Sequence, residues 1–272
     1  MSRVAQHYGR SDLVEAALEA LRRIGKDQER LKPDDLAPVD EFHIRGREAT
    51  EELASLAAPT REDRVLDIGS GIGGSARYLS SRFGCRTVGV DLTPEYCDAA
   101  TQFSELVGLS ELTEFHCVSA LDTPFPDSVF DMAWTQHVQM NIEDKAGLYR
   151  ETARVLRPGG RFVMHDILAG PGGEPYYPTP WASESAISFL ATSNELQQAV
   201  QAAGFRIAEW RDTTDASRDW FFARLQATAE QGPPPVGLHL LMGDDAAEKF
   251  QNVGRGLQEN RLTVCQALLM LD

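Results

Sequence analysis

The run VLDIGSGIGG at positions 65–74 constrains this chain more than any other feature. A short apolar strand runs directly into glycines, and the glycines lead into a segment with helical spacing. Glycine tolerates positive φ and lets a ligand approach the backbone. The helix that follows would present free amides and the positive end of its dipole to that ligand. The chain therefore contains at least one strand–turn–helix unit built to hold something at the turn. Gly69-x-Gly71-x-Gly73 and Gly69-x-Gly71-x-x-Gly74 are both present, and the second spacing is the dinucleotide fingerprint. The turn alone leaves the class of ligand open.

The pattern around the turn repeats. Strands are expected at 65–68, 86–91, 113–118, 130–135, 161–168, 205–212 and 262–271. Helices are expected between them, at 75–83, at 94–107 behind Thr93 with Pro94 at the first helical position, at 144–155 and at 194–203. The helix from 144 is expected to stop at Pro158-Gly159-Gly160. Alternation of this kind implies βαβ units and an α/β fold with a doubly wound, seven-stranded, mostly parallel sheet whose final strand is antiparallel. Ahead of the first strand lie a helix at 11–24 capped by Ser11, a Pro- and Asp-rich stretch at 32–40, and a helix at 47–57. Residues 1–60 thus read as a helical N-terminal arm, and 61–272 as the main domain. Two insertions, near 170–190 and 215–260, are expected to join the arm as a cap. The second holds two helices broken by Pro233-Pro234-Pro235.

A formal charge of −15 over 272 residues argues against nucleic acid or an anionic membrane as partner, because both need a basic face. The four cysteines show no metal-ligand spacing, and no HExxH-like pair occurs among the six histidines, so no metal is expected. The first residues hold no apolar leader and no run reaches membrane-span length. A reducing cytoplasm is the expected location.

Asp91 closes the second strand, where a carboxylate can accept from the two ribose hydroxyls of a bound nucleoside. Three further features narrow the ligand. Asp67 places a carboxylate in an apolar strand directly before the glycines, which is expensive unless it organises the turn or meets a ligand amine. The run PFPDSVFD at 124–131 leads into the fourth strand, and VLRPGG at 155–160 precedes the fifth.

With VLDIGSGIGG, VDLTP, LDTPFPDSVFDMAW and RVLRPGGRFVM in this order, the chain resembles class I S-adenosylmethionine-dependent methyltransferases of Rossmann-like fold, over roughly 64–212. The segments EFHIRGREAT, TQHVQMNIEDK and ILAGPGGEPYYPTPWA resemble a narrower group, the sarcosine/dimethylglycine N-methyltransferase-like proteins. The resemblance implies that Gly69, Ser70, Gly71 and Gly73 wrap the methionine part of S-adenosylmethionine. It implies that Asp91 holds the ribose, that Leu92, Ala120 and Leu121 flank the adenine, and that Gln136 and His137 lie beside the sulfonium. Ser119 departs from the pattern, since the family commonly has an acid there.

Methyl transfer from a sulfonium to a small-molecule acceptor, leaving S-adenosylhomocysteine, is mostly a matter of alignment and exclusion of water. His137 and His43 are the candidate bases or orienting groups. Tyr8, Arg45, His165, Tyr176, Tyr177 and Trp181 are candidate acceptor contacts, with Arg47 a second possible carboxylate anchor. N-methylation of an amine such as a glycine derivative is the expected activity. O- or C-methylation of a small metabolite is the alternative, and a nicotinamide-dependent oxidoreductase a distant one. The stretch Trp220 to Leu225 is expected to pack in the cap or to form a homodimer face rather than a membrane anchor.

Overall fold

A computed structural model describes residues 13–238, 242–243 and 245–272. Ser11 and Tyr8 lie outside the described residues. Seven strands, β1 (Arg64–Ile68), β2 (Arg86–Asp91), β3 (Thr113–Cys117), β4 (Phe130–Gln136), β5 (Leu156–Ala169), β6 (Phe205–Asp212) and β7 (Leu262–Leu271), form one sheet in the order β3-β2-β1-β4-β5-β7-β6. The first five are mutually parallel, and β7 inserts antiparallel to both neighbours. The chain winds outward from β1 to β3 and then crosses to β4 on the other side. The crevice at this reversal, beyond the carboxyl ends of β1 and β4, is where such sheets bind ligands.

Helices cover both faces. On one side Leu66, Ile68 and Val88 pack with Leu148 and Tyr149 of α6 (Lys145–Val155) and with Leu196 and Val200 of α7 (Ser193–Ala202). On the other, Val65, Trp134 and Val163 pack with Leu53 and Ala57 of α3 (Gly46–Ala57) and Leu79 of α4 (Gly74–Phe83). Neighbouring strand residues face opposite ways, so Asp67 shares the α4 side with Val65. Helix α5 (Pro94–Leu106) lies between β2 and β3, and α1 (Leu13–Arg23) packs on it. Helices α8 (Thr214–Gln231) and α9 (Ala246–Gln258) pack on each other and on β7. Among the described residues no helix is long and apolar enough to cross a membrane.

Two local expectations need correction. The Pro- and Asp-rich stretch is itself a helix, α2 (Pro33–Asp40). Pro33 takes the first helical position, the Lys32 amide donates to Asp35 at 2.9 Å, and Leu36 and Val39 are wholly buried. Packing thus outweighs the single backbone bond that Pro38 removes. The Pro-Gly-Gly run does not end the helix before β5. Helix α6 stops at Val155, Leu156 already pairs with Phe130, and the run forms an irregularity before regular pairing resumes at Arg161.

One buried ion pair ties the arm to the sheet layer. Arg77 of α4 and Asp40 of α2 are 0% and 2% exposed at the side chain, and the guanidinium donates to the carboxylate. Burial pushes Asp40 up to about 6, with Arg77 acting against it. Gly73 leaves room for this arginine, since a Cβ there would stand 2.8 Å from Nη1 and 2.7 Å from the Phe115 ring. Replacing Arg77 by Met is expected to destabilise the protein by about 3–5 kcal/mol, because Asp40 then stays buried and uncompensated. The urea midpoint measures this, and an unchanged midpoint would show the pair to be dispensable.

Candidate active site

The turn after β1 is bent by positive φ at Gly69 (68°), Gly71 (51°) and Gly73 (84°). The amides of Gly69 and Ser70 donate to Val90 O at 2.8 and 3.0 Å, and the Gly71 amide donates to Asp91 Oδ2 at 3.0 Å. Asp91 Oδ1 accepts from the Thr93 amide at 2.8 Å. The turn is therefore clamped to the end of β2 through Asp91. A Cβ on Gly69 would collide with Val138, whereas one on Gly71 meets nothing nearer than 3.9 Å. Gly71 thus opens onto a cavity of about 490 Å³.

That cavity is lined by Asp67, Gly69, Ser70, Gly71, Asp91 and Leu92, with Ser119, Ala120, Leu121, Gln136, His137 and His43 completing the wall. Leu92 and Leu121 are among the few large apolar side chains left exposed, at 45% and 39%. Asp67 Oδ2 and Ser70 Oγ are buried with no hydrogen-bond partner. Burial, reinforced by the nearby Asp91 charge, pushes Asp67 up to about 8. Asp91 is also raised, chiefly by burial, with the backbone amides of Thr93 and Gly71 opposing.

A hydrogen-bond net walls the inner end. Gln136 Oε1 accepts from Ser75 Oγ at 2.8 Å and from the indole of the fully buried Trp134 at 2.9 Å. Its Nε2 donates to Thr50 Oγ1 at 3.2 Å, and Thr50 donates to Glu41 Oε2 at 2.7 Å. His43 Nε2 lies 3.0 Å from Thr50 Oγ1 and 3.1 Å from Gly46 O. Burial drives His43 down to about 4.

His137 follows β4 at φ 54°, its amide bonded to His165 O at 2.8 Å. Its Nε2 is buried and unpartnered, and burial holds the ring well below the ordinary histidine range. Asp166 secures the next turn, accepting from the Val138 amide at 3.1 Å and Gln139 Nε2 at 2.8 Å. The rings of His43 and His137 are 5.9 Å apart, and both also line a second chamber of about 70 Å³ behind them. Trp181 lines only that chamber. Among the described residues no group of three or more His, Cys, Asp or Glu is placed to hold a metal ion.

Several expected site residues lie elsewhere. Gly73 lines neither cavity, and its missing side chain serves packing. His165 is fully buried between two backbone carbonyls, Ile44 O at 3.0 Å and Cys265 O at 3.2 Å, as a strut between the arm and the sheet. Arg45 pairs with Glu52, and Arg47 with Glu41. Tyr176 donates to Glu259 at 2.8 Å with two guanidiniums over its ring, and Tyr177 packs in the cluster behind Trp181. Ser75, Thr50 and Glu41, which build the net, were not among the expected site residues, although Glu41 and Thr50 are the two ends of the EFHIRGREAT run. Trp220 and Phe221 line the second chamber, as the amphipathic Trp220 to Leu225 stretch allowed.

Residues 66–164 match the family model described as a methyltransferase domain. The sarcosine/dimethylglycine N-methyltransferase of Halorhodospira halochloris is 28% identical over 226 residues, covering 82% of this chain and 77% of that protein. The chloroplastic tocopherol O-methyltransferase of Arabidopsis thaliana is 39% identical over 101 residues, covering 37% of this chain and only 29% of that protein. The geranyl diphosphate C-methyltransferase of Streptomyces coelicolor A3(2) superposes with a TM-score of 0.71 at 18% identity, over 100% of this chain and 99% of that one. The fold is that of Rossmann-like methyltransferases. The chain carries a methyltransferase domain of the S-adenosylmethionine-dependent class.

Replacing Gln136 by Leu strands the buried Trp134 indole N–H and removes the bridge to Thr50. A loss of about 1–3 kcal/mol in chemical denaturation is expected.

Proposed function

We propose that the larger cavity holds S-adenosylmethionine and that the protein transfers its methyl group to a small molecule presented beside His43 and His137. The observation that carries this is Asp67 Oδ2, buried without a hydrogen-bond partner in the wall of the cavity onto which Gly71 opens. Asp67 would take the ligand ammonium. Ser70 and the backbone of Gly69 and Gly71 would surround the methionine part. Asp91, in the wall of the same cavity, would take the ribose hydroxyls beside its bonds to Gly71 and Thr93, and exposed Leu92 and Leu121, with Ala120, would cover the adenine. Ser119 Oγ accepts from the Leu121 amide at 3.1 Å, which orders this edge. Gln136 would close the inner end.

When bound, the donor supplies an activated methyl group: the acceptor's lone pair bonds to that carbon, the sulfur keeps the electron pair of the broken bond, and any acceptor proton must depart. The protein's part is to exclude water and hold the acceptor in line. Neutral, buried histidines suit a nucleophile that arrives uncharged, because neither ring repels the sulfonium. His137 Nε2 can exchange a hydrogen bond with the acceptor. The arm and the segments near 170–190 and 215–260 would act as its cap, since Phe42, Trp181 and Trp220 all reach the second chamber.

An amine acceptor such as a glycine derivative is supported by the relatives, including the glycine/sarcosine/dimethylglycine N-methyltransferase of Actinopolyspora halophila. The apolar second chamber favours O- or C-methylation of a small metabolite as a second reading. The negative charge speaks against nucleic acid or anionic lipid as partner, and four unpaired thiols fit a reducing cytoplasm.

At about 8 in the empty site, Asp67 is mostly protonated at pH 6.5, and an arriving ammonium favours its ionised form. S-adenosylhomocysteine binding at pH 6.5 should therefore release close to one proton, and affinity should rise with pH toward 7.5. Calorimetry in two buffers of different ionisation enthalpy reads the proton. Asp67→Asn should abolish the release and weaken binding roughly 10–100-fold. No binding by the wild-type protein would end this reading.

A further inference from the structure

We infer that the methyl acceptor is an uncharged molecule with an apolar, ring-sized body lodged behind His137, rather than a carboxylate- or phosphate-bearing one. This rests on the proposed donor site and deepens the second acceptor reading, against a glycine derivative.

The chamber is walled by Trp181, Trp220, Phe221, Phe250, Ile167 and Val253, and borders the donor cavity, Phe42, His43 and His137 lining both. The indole of Trp181 is already bonded to Ser188 at 3.0 Å. Beside the Trp220 indole N–H, the two histidines are the polar side-chain groups that line the chamber among the described residues. A volume of about 70 Å³ is several times what one water needs, and its lining offers water few partners. An apolar ring gains by filling such a space.

An anion would find no protein counter-charge among the described residues, leaving only the sulfonium of a bound donor. Among those residues neither cavity has a lysine or arginine in its lining, while the donor cavity has five acids, Asp40, Asp67, Asp91, Glu143 and Asp144. The cations nearby are committed elsewhere. Arg45 and Arg47 pair with Glu52 and Glu41, Lys249 with Asp245 and Met242 O, and Lys145 with the carbonyls of Ile142 and Phe189. Desolvating a carboxylate or phosphate here without a cation is strongly unfavourable. One polar point remains, His137 Nε2, which is buried and unpartnered. It suits an acceptor whose single hydroxyl or N–H group hydrogen-bonds at the junction while its body fills the chamber.

The test is calorimetry on protein saturated with S-adenosylhomocysteine, titrated with 2-naphthol, dimethylglycine and N,N-dimethylethanolamine. Saturable binding of 2-naphthol, at least tenfold tighter than either amine, is expected. Val253→Phe, which fills the chamber from α9, should weaken 2-naphthol at least tenfold and leave S-adenosylhomocysteine affinity within twofold. Trp220→Ala, at a half-buried position, repeats the loss should the first variant not fold. Tighter binding of dimethylglycine or dimethylethanolamine than of 2-naphthol overturns the inference, as does 2-naphthol binding that both variants leave intact. These results leave the donor reading standing. Failure of S-adenosylhomocysteine to bind instead removes the donor reading and this inference together.

Discussion

The clamp between the β1 turn and the end of β2 is the interaction on which the rest of the site depends. Three successive amides, of Gly69, Ser70 and Gly71, turn back onto Val90 O and the Asp91 carboxylate. Only residues free to take positive φ can make that reversal cheaply. The consequence runs in two directions. It aims the N-terminus of α4 at the crevice, and it leaves Asp67 sealed beneath with an oxygen that no protein group satisfies. A buried carboxylate without a partner destabilises the empty protein, and a cationic ligand relieves it. Binding and local stability are therefore coupled at this one residue.

The inner wall works by a different physics. Gln136 joins β4, α3 and α4 through Trp134, Thr50 and Ser75, so a single amide sets the spacing of three elements. The histidines beside it are neutral because they are dry. Burial is the largest influence on His43, His137 and His165 alike. A site built this way presents fixed dipoles and few charges toward the second chamber, while acids concentrate in the wall of the larger cavity. The polarity of the cleft thus changes sharply across His137.

The sheet was legible because parallel strands buried on both faces leave nearly continuous apolar runs, and because the glycine turn dates the first of them. The last strand was legible as an apolar run, and Asp91 as the acid that closes the second strand. Helix α2 was not, since its stability comes from Leu36, Val39 and the Asp40–Arg77 pair rather than from propensity. In the site, most of the motif positions line the cavity at the turn, but not all of them. Gly73 faces Phe115 and Arg77, which spacing alone does not reveal. His165 was a candidate acceptor contact, yet its two nitrogens lie against tertiary carbonyls of Ile44 and Cys265, one of which its single N–H can serve. The second chamber draws on seven separate segments: Phe42 to Ile44, His137 with Met140, Ile167, and Pro180 with Trp181 fall in the EFHIRGREAT, TQHVQMNIEDK and ILAGPGGEPYYPTPWA runs, while the residues from α8 onward carry no such mark.

Strand β7 pairs on one edge with β5 and on the other with β6, and β6 has no other partner in the sheet. It also follows every other strand along the chain. During synthesis, the five parallel strands can associate as they emerge, but β6 must wait with its edge open until residues 262–271 arrive. Strand β7 also carries Cys265, whose carbonyl faces His165. The last strand to be made therefore joins the outer sheet and locks the arm's strut in a single event, so the cleft reaches its final shape only when the sheet closes.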